Sequence, residues 1–289
     1  MSAIATRPVE RTGKRRRNKV VLYAILIAGC IPTLLPFIWL VRSAFMDDGQ
    51  IFVSPPEWIP NPWKFDNFSQ AFDVQPFFDY LLNTLIIEAG VVTGTVISCS
   101  LAAFAFARLR WRGRNIAFGI TLSTMLLPYA VTIIPTFIMW RSVGALDTFV
   151  PLIVPAWFGA AGGGAFYIFL LRQFFLTIPY ELDEAAYMDG ASVWWVFWRI
   201  VLPLSKPAIA VVVVFTFVNT WNDFLGPLIY LTSQENFTLA LGLAAFQGTY
   251  TGQWGLLMAA AALVTVPIIL LFFLAQRYFV EGITFTGGK

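Results

Sequence analysis

Residues 172–206 read RQFFLTIPYELDEAAYMDGASVWWVFWRIVLPLSK and lie between two long apolar runs. Pro179 can open a helix there, because the first helical position needs no N–H and its φ is preset. Glu181, Asp183 and Glu184 follow near that N-terminus, where unpaired amides favour negative charge. Gly190 is placed to end the helix, since glycine accepts the left-handed conformation that closes one. A second, aromatic helix is expected over residues 191–201. Pro203 and Pro207 are expected to break the chain before the next apolar run. The segment is thus a compact knob with an acidic front and an aromatic back. Trp194, Trp195, Phe197 and Trp198 are too many to leave in water. They need the membrane interface, the chain's own helices or a partner, and composition allows all three.

Outward from this knob the chain is apolar. It has 289 residues, a mean hydropathy of +0.73 and only 12% charged residues. A soluble domain of this length needs far more polar surface. A helix crosses a bilayer with roughly 20 apolar residues. Runs of that kind occupy residues 20–45, 80–107, 115–140, 149–171, 207–230 and 254–279. Runs so long imply helices rather than a barrel, because backbone in lipid must satisfy itself. The fold class expected is an all-α polytopic membrane protein with six transmembrane helices. With the N-terminus inside, 16 of the 19 Lys and Arg residues fall on the inner side. Only Arg42, Lys64 and Arg141 fall outside. That bias places both termini in the cytoplasm of a multi-pass inner-membrane protein. The first run reads as a spanning helix rather than a cleaved leader, being too long and lacking a small-residue cleavage site.

The organisation that follows is a basic cytoplasmic tail (1–19), a first transmembrane helix (20–45) and an extracytoplasmic loop (46–79). A core of five helices (80–279) contains the knob (172–206), and a cytoplasmic tail (280–289) ends the chain. In the outer loop Pro55, Pro56, Pro60 and Pro62 forbid a continuous helix, and Trp58 and Trp63 suit the membrane–water interface. The second run carries Gly90, Gly94, Ser98 and Ala102 on one face, a surface for close helix approach. Glu88 in the same run needs a partner or water; Arg141 or Arg42 is the expected pairing, with a role in a translocation pathway as the alternative. Pro128 and Pro135 are expected to kink the third run, and Gly159 and Gly162 to Gly164 to weaken the fourth. In NTWNDFLGP, Asn219, Asn222 and Asp223 either line a hydrated route or hold helices together. Cys30 and Cys99 read as packing residues, there is no histidine, and neither a metal set nor a catalytic nucleophile–base pair stands out.

Glu184-Ala185-Ala186, Asp189-Gly190-Ala191 and Ile200-Val201-Leu202-Pro203 together resemble the EAA loop of ABC importer permeases. Nearly the whole chain resembles the smaller six-span permease of the maltose-transporter type of carbohydrate importer. PPEWIPNPWKFDNF, TWNDFLGPLIYL, TLALGLAAF and QRYFVEGITFTGGK carry the likeness. The resemblance implies a type I importer permease fold and a mechanical role. The EAA loop would form a coupling helix seated in a groove of an ATP-binding subunit. Glu184, Ala185, Ala186, Asp189, Gly190 and Ala191 would make the core of that contact. Thr286, Gly287 and Gly288 in the tail would touch the ATPase more loosely, with Phe285 standing where the family has small residues. The resemblance further implies a second, different permease, two ATP-binding subunits, an outer sugar-binding protein meeting residues 231–253, and no nucleic acid. ATP and Mg would sit on the partner subunits, with no cofactor on this chain.

The chain contains no G-x-x-x-x-G-K-[ST], and Gly287-Gly288-Lys289 ends it, so nucleotide hydrolysis is expected in separate chains. The expected cargo is a sugar or oligosaccharide; a sugar phosphate or polyol is the alternative. A stand-alone secondary transporter would explain six runs and buried acids but not the EAA pattern.

Overall fold

The computed structural model describes residues 10–160, 162–249 and 252–284, and every regular element among them is helical. In chain order these are α1 (Glu10–Ala44), α2 (Asp48–Ile51), α3 (Asp66–Val74), α4 (Phe77–Ala107), α5 (Arg114–Ser123), α6 (Tyr129–Ser142), α7 (Val150–Trp157) and α8 (Gly164–Thr177). α9 (Glu181–Met188) and α10 (Val193–Val196) form the knob. α10 runs through a π-helical turn, Phe197–Val201, into α11 (Leu202–Leu204). α12 (Lys206–Trp221), α13 (Leu225–Tyr230), α14 (Leu239–Thr249) and α15 (Trp254–Thr284) complete the chain.

Three helices are long and apolar enough to cross a membrane: Asn18–Ala44, Phe77–Ala107 and Trp254–Leu274. Two bent pairs pass the same test together, Arg114–Leu126 with Tyr129–Ser142 and Val193–Leu204 with Lys206–Trp221. Among the described residues this gives three to five spans.

The third expected span is not one kinked helix. Its halves meet at 99°. Leu127 is extended (φ −77°, ψ 114°) and Pro128 stands directly before α6. A proline pushes the residue before it out of the helical region, so the helix stops rather than bends. Pro135, by contrast, stays inside α6. The fourth expected span is likewise two helices, α7 and α8, parted at the glycines. Gly163 precedes α8 at φ +98°, a conformation that side chains rarely adopt. Residues 231–253 are more than a loop, since they carry α14.

The chain forms two compact units. The first contains Met1–Ala71 and Thr251–Ala262. Here α1 leaves its apolar surface open over residues 18–38. At its end Arg42 is buried: Nη2 donates to the Ile51 carbonyl at 3.0 Å, and the guanidinium lies 3.8 Å over the Trp39 ring. Asn67 Nδ2 donates to the Ala44 and Met46 carbonyls at 3.0 and 2.9 Å. The proline-rich segment is therefore a packed structure, with Phe45 against Trp63 and Phe68.

The second unit contains Phe72–Tyr250 and Leu263–Lys289. α4 is its hub and packs along α7, α8 and α12. The small-residue face read from the sequence meets α7. A Cβ at Gly94 would lie 2.6 Å from the Trp157 ring, and Ser98 Oγ donates to the Ala156 carbonyl at 2.8 Å. The main core joins Cys99, Ala103 and Phe104 of α4 to Leu171 and Phe175 of α8 and Val212 of α12. Ala186, Val196, Phe197 and Val201 of the knob complete it.

Candidate functional site

The knob has two faces. α9 opens just after Pro179 and runs to Met188, with Glu181, Asp183 and Glu184 in its first turn. Asp183 and Ala186 are buried, whereas Glu184, Ala185, Met188, Asp189 and Gly190 are exposed. Ala191 packs partly against the core. Gly190 adopts φ +81°, and its amide donates to the Tyr187 carbonyl at 3.0 Å, closing the helix. The Ser192 hydroxyl then accepts from the Trp195 amide at 3.2 Å and starts α10. The aromatic back divides: Phe197 is buried in the chain's own core, while Trp194, Trp195 and Trp198 are exposed. Pro203 does not break the chain. It lies within the continuous helical run Val193–Leu204, just after the π-helical turn, and the 77° break falls at Ser205, ahead of Pro207 in the first turn of α12.

Beneath the exposed face lies an ion pair that the sequence did not single out. Arg108 Nε stands 3.5 Å from Asp183 Oδ2, and the two side chains are 4% and 1% exposed. Arg108 Nη2 also donates to the Ile178 carbonyl at 2.8 Å. Burial pushes the Asp183 carboxyl up, and the positive charge of Arg108 opposes that shift.

Within the same unit a cavity of about 930 Å³ opens between α4, α6, α7, α12 and α13. Threonines recur along it, Thr95 of α4, Thr132 and Thr136 of α6, and Thr216 and Thr220 of α12. Aromatic rings of Tyr129, Trp140, Phe158 and Tyr230 join them. Thr95 and Thr216 are 1% and 3% exposed, and neither Oγ1 has a hydrogen-bond partner among the described residues. Asp223 is the charged residue of the lining; no lysine or arginine of the described residues contributes to it.

Of the pathway candidates, the structure brings Asn219 and Asp223 to this cavity. Asn219 Nδ2 donates to the Tyr167 hydroxyl at 3.0 Å, and Asp223 Oδ1 accepts from the Gly226 amide at 3.0 Å. Asn222 is exposed, bonded to the Val218 carbonyl, and does not line it. Glu88 does not line it either. Glu88 is buried, and its carboxylate has no hydrogen-bond or ion-pair partner among the described residues, so the expected pairing with Arg141 or Arg42 is not made. Thr286, Gly287 and Gly288 lie outside the described residues.

At the other end of the unit Asp147 clamps the segment that precedes α14. Its carboxylate accepts from the Thr232 and Ser233 amides, each at 2.9 Å, and from the Ser233 hydroxyl. These bonds hold its carboxyl well below the usual carboxylate range. A depressed folded value means that the clamp's contribution is complete above the ordinary carboxylate pKa and is lost only as pH falls through the depressed one. Asp147→Ala should therefore speed hydrogen exchange of the Thr232 and Ser233 amides at neutral pH by about tenfold or more, since hydrogen bonds to charged groups are worth ~1.5–3 kcal/mol. Unchanged exchange would show that the segment holds itself.

Residues 90–285 match the family described as binding-protein-dependent transport system inner membrane component. A probable ABC transporter permease protein of Bacillus subtilis (strain 168) is 35% identical over 91% of this chain and 84% of its own. The diacetylchitobiose uptake system permease protein of Streptomyces coelicolor is 30% identical over 91% of this chain and 86% of its own. The sn-glycerol-3-phosphate transport system permease protein of Yersinia pestis is 33% identical over 93% of this chain and 97% of its own. In three dimensions the chain resembles one of a bacterial ABC transporter involved in import of the acidic polysaccharide alginate. The TM-score is 0.79 at 22% identity, covering 95% of this chain and 100% of that one.

Proposed function

Because the chain belongs to the family of binding-protein-dependent transport system inner membrane components, we propose that it carries a sugar or related polyol across the membrane when separate chains hydrolyse ATP. The permease subunit itself is not catalytic. It crosses the membrane six times with both ends in the cytoplasm. α1, α4 and α15 supply three spans, α5 with α6 a fourth, α12 with α13 a fifth, and α7 with α8 the sixth. The inward bias of Lys and Arg supports that orientation.

The observation that carries this reading is the knob. Glu184, Ala185, Asp189 and Gly190 present one exposed face on a base buried in the permease core. That is what a contact needs if it is to be both seized from outside and rigidly attached within. Two ATP-binding subunits, each closing on ATP with Mg, would grip such a face here and on a second, different permease. Ala186 contributes by packing rather than by touching the partner. Thr286, Gly287 and Gly288 would add a tail contact. An extracytoplasmic sugar-binding protein would meet the 231–253 segment that Asp147 clamps.

The cavity lining supports a neutral polyhydroxylated cargo over a sugar phosphate. Its Thr132, Thr136 and Thr220 hydroxyls and the Asn219 amide, which are not buried, can accept from sugar hydroxyls. Asp223 accepts from hydroxyls but repels anions, and a desolvated phosphate would find no cation in this lining. Tagging the chain, extracting it in mild detergent and identifying its companions by mass spectrometry tests the assembly. Vesicles holding the assembly and ATP should then take up a neutral sugar from its binding protein. Recovery of this chain alone across several detergents, or uptake driven by an ion gradient without ATP, would instead favour a stand-alone transporter.

A further inference from the structure

We infer that Arg108 and Asp183 key α9 to one end of α4, and that α4 delivers the motion of α9 to the 231–239 segment at its other end. The inference rests on the coupling role proposed above. Its physical basis is the contrast between α4 and its neighbours. α4 runs unbroken for 31 residues, about 46 Å at ~1.5 Å per residue. The pairs α5–α6 and α7–α8 beside it are each broken near the middle. A push on one half of a broken pair is absorbed at the break, whereas a push on α4 moves the whole helix.

Both ends of α4 are fastened to what they would drive. At the knob end Arg108 flanks the Pro179 turn on both sides, with a hydrogen bond to the Ile178 carbonyl before it and a 3.5 Å ion-pair contact, not a hydrogen bond, to the Asp183 carboxylate after it. Pulling Asp183 away would leave two bare charges in a site sealed from water, so α9 and α4 are held to move together. At the far end Asn83 Nδ2 donates to the Glu235 and Phe237 carbonyls at 2.7 and 3.0 Å. Thr84 Oγ1 accepts from the Leu239 amide at 2.9 Å, and Gln234 Nε2 donates to the Tyr80 hydroxyl at 2.9 Å. The first turn of α14 and the segment before it are therefore tied to α4 by side chains of one helical turn. Arg108 and Asp183 are positioning residues: they touch neither cargo nor nucleotide.

A double-mutant cycle across α4 tests this in the assembled transporter with its ATPase and binding protein. Asp183→Asn removes the charge at constant shape, and Asn83→Ala cuts the far tie. Each should lower cargo moved per ATP hydrolysed by roughly fivefold, the size seen for residues along coupling networks. The double variant should be no worse than the weaker single, because the same rod is already cut. Asp183→Glu, which keeps the charge, should retain most of the ratio. The ATPase should still co-purify with every variant. Multiplying effects, or an unchanged ratio in Asp183→Asn, would overturn the inference. So would loss of the ATPase from Asp183→Asn, which would make the pair a support of the contact surface only. Wild-type vesicles that transport while the cycle is additive would sink this inference alone; wild-type vesicles with no ATP-driven uptake would sink the importer reading beneath it.

Discussion

Replacing Gly190 by aspartate should lower ATP-driven uptake by at least an order of magnitude and leave the chain in the membrane. The glycine closes α9 at φ +81°, and nothing lies within 4 Å of where a Cβ would stand. A side chain therefore meets no clash within this chain. Its cost there is conformational, about 1–2 kcal/mol for a residue forced left-handed and less for aspartate, which tolerates that region. So small a cost does not unfold a core built from α4, α8 and α12. What changes is the exposed face, where a third negative charge joins Glu184 and Asp189 at the contact proposed for the ATPase. Uptake by vesicles and membrane content by immunoblot measure the two halves of the prediction. Gly190→Ala separates strain from charge, and it should keep most of the uptake. Full uptake in the aspartate variant would remove Gly190 from the coupling surface.

Arg108→Met should destabilise the folded permease by about 3–5 kcal/mol, the range for stripping one partner from a buried ion pair. Methionine fills the space but leaves the Asp183 carboxylate uncompensated in a site where both side chains are almost wholly enclosed. Thermal unfolding in detergent reads the loss. Its pH dependence has a definite sign. Burial already raises the Asp183 carboxyl, and without Arg108 the folded value rises further above the unfolded one. The penalty is then largest above that raised value and fades as pH falls towards the ordinary carboxylate range, where the acid is protonated in both states. Arg108→Met with Asp183→Leu should recover much of the stability at neutral pH, because an apolar pair pays no desolvation. A pH-independent loss would show that methionine fails by packing and not by charge.

The knob was the most legible part of the chain. Pro179, the acids after it and Gly190 each act locally, within a turn of their own position, so their chemistry is written in order along the sequence. α9 accordingly stops at Gly190, and it starts at Glu181, two residues after Pro179, with Tyr180 as its N-cap. The small-residue face of α4 was legible for the same reason, since its spacing of four is a property of one helix. The partner of that face, α7, was not. Arg108 was read as a charge that orients the chain and Asp183 as one of several acids at a helix start. Their pairing depends on α4 and the Pro179 turn meeting in space, which no local rule encodes. The orphan hydroxyls of Thr95 and Thr216 escaped likewise, because a threonine in an apolar run reads as packing until its surroundings are known. The breaks in the third and fourth runs were signalled by Pro128 and by the glycines at 159 and 162 to 164. Their sharpness was not, because composition marks a weak point without fixing the angle there.

Those two breaks also bear on how the protein is made. Irregular backbone at hydrocarbon depth is tolerated only where protein or water, not lipid, meets its polar groups. Neither α5–α6 nor α7–α8 can therefore rest in the bilayer as a lone span while the rest of the chain is still being synthesised. α4 can, being a continuous apolar helix whose backbone is satisfied within itself. It is also made before them, and its glycine face is the surface on which α7 later closes. Biogenesis should thus proceed by holding the broken segments at the insertion site until they can dock on α4. Substitutions that bulk out Gly94 should appear first as newly made chain trapped and degraded at that stage, before any mature transporter exists to be assayed.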